Sequence, residues 1–144
     1  MIYATTHKTL LVTPPAAAVN NAAVTCSSVD RKGFDFAVFK LILGATDAAL
    51  TVCKMQESDD NSSWADVGGL DFSVSPNALP SAADDNHLFA WDIDLRGRKR
   101  YLRPAITVAS ASTGAFVCVT AELHRAEQVP ATATSRGLTA NVAV

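Results

Sequence analysis

The strongest concentration of chemically capable side chains in this sequence is a basic segment at residues 96–103, where five of the twelve Lys and Arg residues fall within eight positions. Its polar members are Arg96, Arg98, Lys99, Arg100, Tyr101 and Arg103. Arginine forks bind carboxylates and phosphates, and a tyrosine ring can stack on a base. Three interpretations are open: a grip on nucleic acid, an interface that recognises carboxylates of another protein, or a solvated turn whose arginines pair with nearby aspartates.

Charge around the basic segment disfavours nucleic acid as its partner. Asp92 and Asp94 come directly before the segment, and the whole chain has a net charge of −2 and a pI near 5.8. Negative charge around the segment opposes the binding of a polyanion. We therefore predict no nucleic-acid partner, and we assign the six polar side chains of residues 96–103 to the binding of a protein.

Histidines and carboxylates offer a second candidate chemistry, namely shared protons or a metal. Glu122 and His124 stand two residues apart, so a strand would place both side chains on one face. No third ligand lies nearby in sequence, and neither His7 nor His87 has the spacing of a metal pair. We interpret Glu122 and His124 as part of a polar strand face, and we predict no metal and no cofactor.

The polar run at 59–63 imitates the first ligands of an EF-hand calcium loop. Trp64 stands where that loop needs glycine, and Leu70 stands where it needs the closing glutamate. We therefore predict an Asx-rich hairpin turn. A weaker cation site that also uses Asp84 and Asp85 is the alternative.

Signatures of catalysis are missing from the sequence. It contains neither the phosphate-binding pattern G-x-x-x-x-G-K-[ST] nor the nucleophile elbow G-x-S-x-G. We predict that the chain is not an enzyme, and a pocket of converging titratable groups would be needed to revive that function. The alternative to protein binding is a carbohydrate-binding module in which Trp64 or Tyr101 stacks on a sugar.

A two-residue periodicity predicts the elements that position these side chains. In residues 88–95, Phe89, Trp91, Ile93 and Leu95 share one face, which places Trp91 in the core. Similar patterns predict strands at 101–109 and 115–123, and further strands at 9–12, 22–29, 34–43, 49–57, 71–74 and from residue 64 onward. Seven or eight short strands without an amphipathic helix predict an all-β sandwich, preferably a jelly roll.

Two strands carry special features. Pro104 cannot donate a ladder hydrogen bond, so its strand should be at an edge or contain a bulge. Residues 34–43 are apolar on both faces, so their outer face needs a cover, which can be a partner subunit, an arm of the chain or the protein's own loops.

Length and composition fit one domain with extended ends. The chain has 144 residues, of which 49% are hydrophobic and 18% charged, enough for a single core. We predict an N-terminal arm at 1–21, a sandwich at 22–125 and a C-terminal arm at 126–144. The three cysteines lack C-x-x-C spacing and are expected to be reduced thiols, mostly buried. We expect no signal peptide and no membrane partner.

Three segments carry a resemblance to a known family. They are 36–40 (FAVFK), 56–64 (QESDDNSSW) and 91–104 (WDIDLRGRKRYLRP). The sequence resembles jelly-roll cement, or decoration, proteins of tailed bacteriophages over residues 34–125, although these motifs are structural strands and turns.

This resemblance implies a function outside catalysis. A cement protein binds the outside of the assembled major-capsid shell, stabilises subunit junctions against the pressure of packaged DNA, and often forms oligomers, with a trimer favoured here. It is made in the host cytoplasm and resides on the outer capsid surface of the virion. No catalytic residues transfer, and the Ala- and Thr-rich termini would act as clamps on the shell.

Overall fold

The computed structural model describes residues 6–127 and 132–140. Within them the chain forms a nearly all-β fold of two antiparallel sheets, as the alternation predicts. The strands are β1 His7–Thr13, β2 Ala22–Ala23, β3 Val29–Asp30, β4 Phe34–Thr46, β5 Leu50–Ser58, β6 Ala65–Asp71, β7 Leu88–Asp94, β8 Tyr101–Val108 and β9 Ala115–Ala126. The first sheet has the order β1-β9-β4-β7, and the second has the order β2-β8-β5-β6 with β3 also paired to β8.

Pro104 explains why β2 and β3 are separate. Ile106 O accepts a hydrogen bond from Val24 N, so the even-numbered residues of β8 direct their backbone groups toward β2 and β3. Pro104 thus has no N–H to offer on that side, and the partner strand is interrupted there, between Ala23 and Val29. The predicted edge position is confirmed at Pro104 itself, which has no partner on this side. The rest of β8 is central, with β5 on one side and β2 and β3 on the other.

Counting β2 and β3 as one interrupted strand gives eight strands in the order of a jelly roll. In that numbering the first sheet is 1-8-3-6 and the second is 2-7-4-5. The prediction of a single β-sandwich is therefore confirmed, and the strand order fits its jelly-roll form.

The core lies between the inner faces of the two sheets. Phe39 and Leu41 of β4 and Trp91 and Ile93 of β7 are buried there, facing Met55 on the second sheet. Trp91 therefore lies in the core, as predicted. Cys53 is buried, Cys26 and Cys118 are half-buried, and all three are free thiols.

Other predicted boundaries also differ from the structure. Residues 71–74 do not form a strand of their own, because β6 ends at Asp71 and its carboxylate accepts a hydrogen bond from Ser73 N in a turn. In the segment predicted as an N-terminal arm, His7–Thr13 forms β1 at the edge of the first sheet.

The C-terminal segment lies only partly within the described residues. Its 3-10 turn, Thr134–Arg136, packs against β1, while residues 128–131 and 141–144, like residues 1–5, lie outside the described part of the chain. Among the described residues, no helix is long and apolar enough to span a membrane.

Candidate functional site

The basic segment forms the turn between β7 and β8 and continues into β8. Leu95 anchors the start of the turn in the core, and Arg98 N donates to Leu95 O at 3.0 Å. Gly97 has φ +82°, a left-handed conformation that glycine adopts without strain. The turn therefore holds Arg96, Arg98 and Arg100 at one end of the sandwich.

Four acidic side chains of the same chain neutralise this turn. Asp94 accepts two hydrogen bonds from Arg96, from Nη2 at 2.6 Å and Nε at 2.9 Å. The remaining ion pairs are Arg100 with Asp30 at 2.7 Å, Lys99 with Asp59 at 3.2 Å and Arg98 with Glu57 at 3.7 Å. The interpretation in which arginines pair with nearby aspartates thus describes the turn, although only Asp94 was among the predicted partners.

Two of these ion pairs lower the pKa values of their carboxyl groups. Hydrogen bonds from the Arg96 side chain lower the pKa of Asp94 to about 2, and those from Arg100 lower the pKa of Asp30. Both carboxylates remain charged at neutral pH and hold the guanidinium groups in place. The four basic side chains of residues 96–100 are therefore already paired within the chain, which weakens their attraction for an acidic partner.

Acid should weaken the fold because these carboxyl groups titrate at lower pH when folded. Their stabilisation is present above the unfolded pKa of about 4 and is lost as pH falls through the folded values. We expect the urea midpoint, followed by circular dichroism, to fall between about pH 5 and pH 2. Asp94→Asn should show a smaller fall over this range than the wild type, and a midpoint independent of pH would contradict the expectation.

Aromatic side chains on the second sheet are already in contact with arginines. The Arg103 guanidinium lies 4.1 Å from the centre of the Trp64 ring and also donates to Gln56 Oε1. Arg100 lies 5.1 Å from the Tyr101 ring centre. Each of these cation–π contacts occupies one of the two ring faces on which a sugar could stack. Nothing in the geometry of Trp64 and Tyr101 therefore favours a carbohydrate site.

Glu122 and His124 belong to a polar half of the outer face of the first sheet. Lys40 Nζ lies 3.0 Å from Glu122 Oε1, His124 Nε2 lies 3.6 Å from Glu122 Oε2, and the His7 ring packs beside the His124 ring. Among the described residues, no three His, Cys, Asp or Glu side chains gather where a metal ion could be held. These contacts describe a polar strand face.

The Asx-rich turn forms as the sequence predicts. The carboxylate of Asp60 accepts hydrogen bonds from Ser62 N at 2.9 Å and Ser63 N at 2.7 Å, and these bonds strongly lower the pKa of Asp60. Asp84 and Asp85 are likewise used within the protein, where they accept bonds from backbone N–H groups. These carboxylates therefore hold loops together.

An apolar surface lies on the outer face of the first sheet, at the end away from the basic turn. Among the described residues the exposed large hydrophobic side chains are Leu11, Ile42, Val74, Leu88 and Phe116. All except Val74 lie on this face. We call Leu11, Ile42, Leu88 and Phe116 the apolar patch, and they are 57%, 37%, 69% and 41% exposed.

Strand register brings Ile42, Leu88 and Phe116 together, whereas Leu11 pairs with Thr120 in the next row, which continues to Lys40. Ile42 on β4 is paired with Cys118 on one side and Leu88 on the other. Phe116 stands two residues before Cys118 on the same face of β9. A depression of about 170 Å³ beside Ile42 and Phe116 is lined also by Pro15 and Ala16. The outer face of β4, which the sequence predicts to need a cover, is therefore left partly open in the described chain.

The apolar patch and the basic turn lie at opposite ends of the molecule. β7 begins at Leu88 in the patch and ends at Asp94 beside the turn. Six residue steps at about 3.3 Å each separate these ends by about 20 Å. Sequence reasoning found Ile42 through the doubly apolar β4, but it missed Leu11, Leu88 and Phe116, because only the register of four strands unites them.

Comparison with known proteins identifies a shared fold but no family. No family model matches the chain, and no curated protein matches it. A solved structure, that of the SPBc2 prophage-derived protein YomS, matches with a TM-score of 0.51 and 15% sequence identity, covering 83% of this chain and 93% of YomS. At this identity the likeness shows that the chain shares its β-sandwich fold with a prophage-derived protein.

Proposed function

We propose that this chain is a structural protein of a bacteriophage virion, which binds the outside of the major-capsid shell and stabilises its subunit junctions as a cement protein. The observation that carries the proposal is the apolar patch. Exposed apolar side chains gathered on one face mark a surface that a protein partner covers. The segments that resemble cement proteins and the fold shared with a prophage-derived protein point to a phage shell as that partner.

The exposed side chains of the protein favour protein binding over sugar binding. A sugar site needs an open aromatic platform, whereas Trp91 is buried and one face of Trp64 is taken by Arg103. The resemblance also implies an oligomer, with a trimer favoured.

Sedimentation with shells tests the proposal directly. Purified protein is mixed with undecorated phage shells at physiological salt and centrifuged, with an unrelated β-sandwich of similar size as the control. We expect saturable recovery of this protein, but not of the control, in the shell pellet. Shells that carry the protein should also resist heating to a higher temperature. Protein that stays in the supernatant at micromolar concentration would count against the proposal.

A further inference from the structure

We infer that the protein meets the shell through the apolar patch and holds the basic turn away from it. The part of the shell protein that the patch contacts would then be apolar and uncharged. This inference rests on the proposed shell binding. It reverses the assignment of partner contacts to residues 96–103, since that turn lies about 20 Å from the patch along β7.

The patch has the anatomy of a binding surface. The row formed by Cys118, Ile42 and Leu88 carries no charged side chain. The next row contains Leu11, Thr120 and Lys40, and there Lys40 is paired with Glu122 at 3.0 Å. An apolar centre bordered by polar groups that are already satisfied is the usual arrangement of a protein interface.

The basic turn lacks the properties of a contact surface. Its arginines pair with Asp30, Glu57 and Asp94 of the same chain. An acidic partner would have to displace these carboxylates, and the exchange of one exposed ion pair for another releases little free energy. The turn therefore fits an end of the molecule that faces solvent.

The size of the patch argues against a second copy as its occupant. From the exposed fractions of its four side chains, its apolar area is on the order of 400 Å². A stable interface buries about 800 Å² on each partner. The patch alone is therefore too small to hold two free copies together. It fits a shell, whose neighbouring subunits add contacts around the patch.

Charge placed in the patch tests the inference. We expect Leu11→Lys with Leu88→Lys to reduce shell affinity by at least about tenfold, because two ammonium groups would be buried without partners. Both side chains are more than half exposed, so the variant should fold, which circular dichroism checks. Val74→Lys is the matched control, since Val74 is as exposed as Leu11 but lies outside the patch. Arg98→Glu with Arg100→Glu should bind within about threefold of the wild type.

Cys118 provides an independent readout in the wild-type protein. Its thiol lies half-buried beside Ile42, whereas Cys26 lies between β2 and β3, next to β8. Maleimide labelling followed by mass spectrometry should show that shells slow the labelling of Cys118 but not of Cys26. Slow labelling of Cys118 without shells, with a dimer in sedimentation velocity, would instead identify a second copy as the occupant and overturn the inference.

The outcomes separate the inference from the proposed function. If the wild type does not pellet with shells, both fail. If the wild type pellets and the Leu11 and Leu88 double variant pellets equally well, only the inference fails. Loss of binding in the Arg98 and Arg100 double variant alone would show instead that the basic turn contacts the shell.

Discussion

Replacement of Gly114 by alanine is expected to lower the free energy of unfolding by about 3 kcal/mol. Gly114 has φ +100°, a conformation that side chains rarely adopt, and an added Cβ would lie far inside contact distance of the Val19 carbonyl oxygen. Val19 cannot easily retreat, because it exchanges two 2.9 Å backbone hydrogen bonds with Ala115. The substitution should therefore detach the connection between β1 and β2 from the turn that precedes β9.

Thermal unfolding followed by circular dichroism measures this effect. A loss of about 3 kcal/mol corresponds to a fall in Tm of about 10 °C for a chain of this length. Gly68→Ala is the control, because an added Cβ there meets no atom within 4 Å. If Gly114→Ala unfolds within about 2 °C of the wild type, the close approach of Val19 is not a constraint on the fold.

Phe39→Ala should have a still larger effect, lowering the free energy of unfolding by about 4 kcal/mol. Phe39 is fully buried on the inner face of β4, where its neighbours across the sheet are Ala121 and Trp91. Removal of the ring leaves a cavity that rigid strands cannot close. The lost free energy of burying the ring and the cost of the cavity therefore both destabilise the fold.

Phe116→Ala is the matched control for Phe39→Ala, since Phe116 lies on a strand of the same sheet but on its outer face. Urea unfolding should change by less than about 1 kcal/mol for Phe116→Ala. Comparable destabilisation by the two variants would mean that the apolar patch is part of the packing of the isolated protein, and the case for a partner at that surface would be lost.

Local patterns were sufficient to predict the fold class. The alternation of Phe89, Trp91 and Ile93 depends only on the two-residue period of a strand, and the structure places all three on the inner side. Pairing of Arg96 with Asp94 was also predictable, because the two residues stand only two positions apart in the sequence. Asp71 to Val74 was misread as a strand because its apolar Phe72 and Val74 obscured a turn that Asp71 caps.

Contacts between distant segments could not be read from the sequence. Asp30 and Arg100 are 70 residues apart and meet only because β3 pairs with β8. The apolar patch could not be predicted either, because Leu11 and Leu88 lie on opposite edges of one sheet and share a face only through strand pairing. A one-residue change of register would move either side chain to the other face, so their common surface depends on the full strand order.

The interruption opposite Pro104 has a consequence for solubility. An open edge of a sheet is a template on which strands of other molecules can add and build insoluble fibrils. Here the edge beside β8 consists of two strands of two residues each, Ala22–Ala23 and Val29–Asp30. Such short edges give an incoming strand too few consecutive hydrogen bonds to hold it. A single proline thus helps to protect one edge of the second sheet from such aggregation.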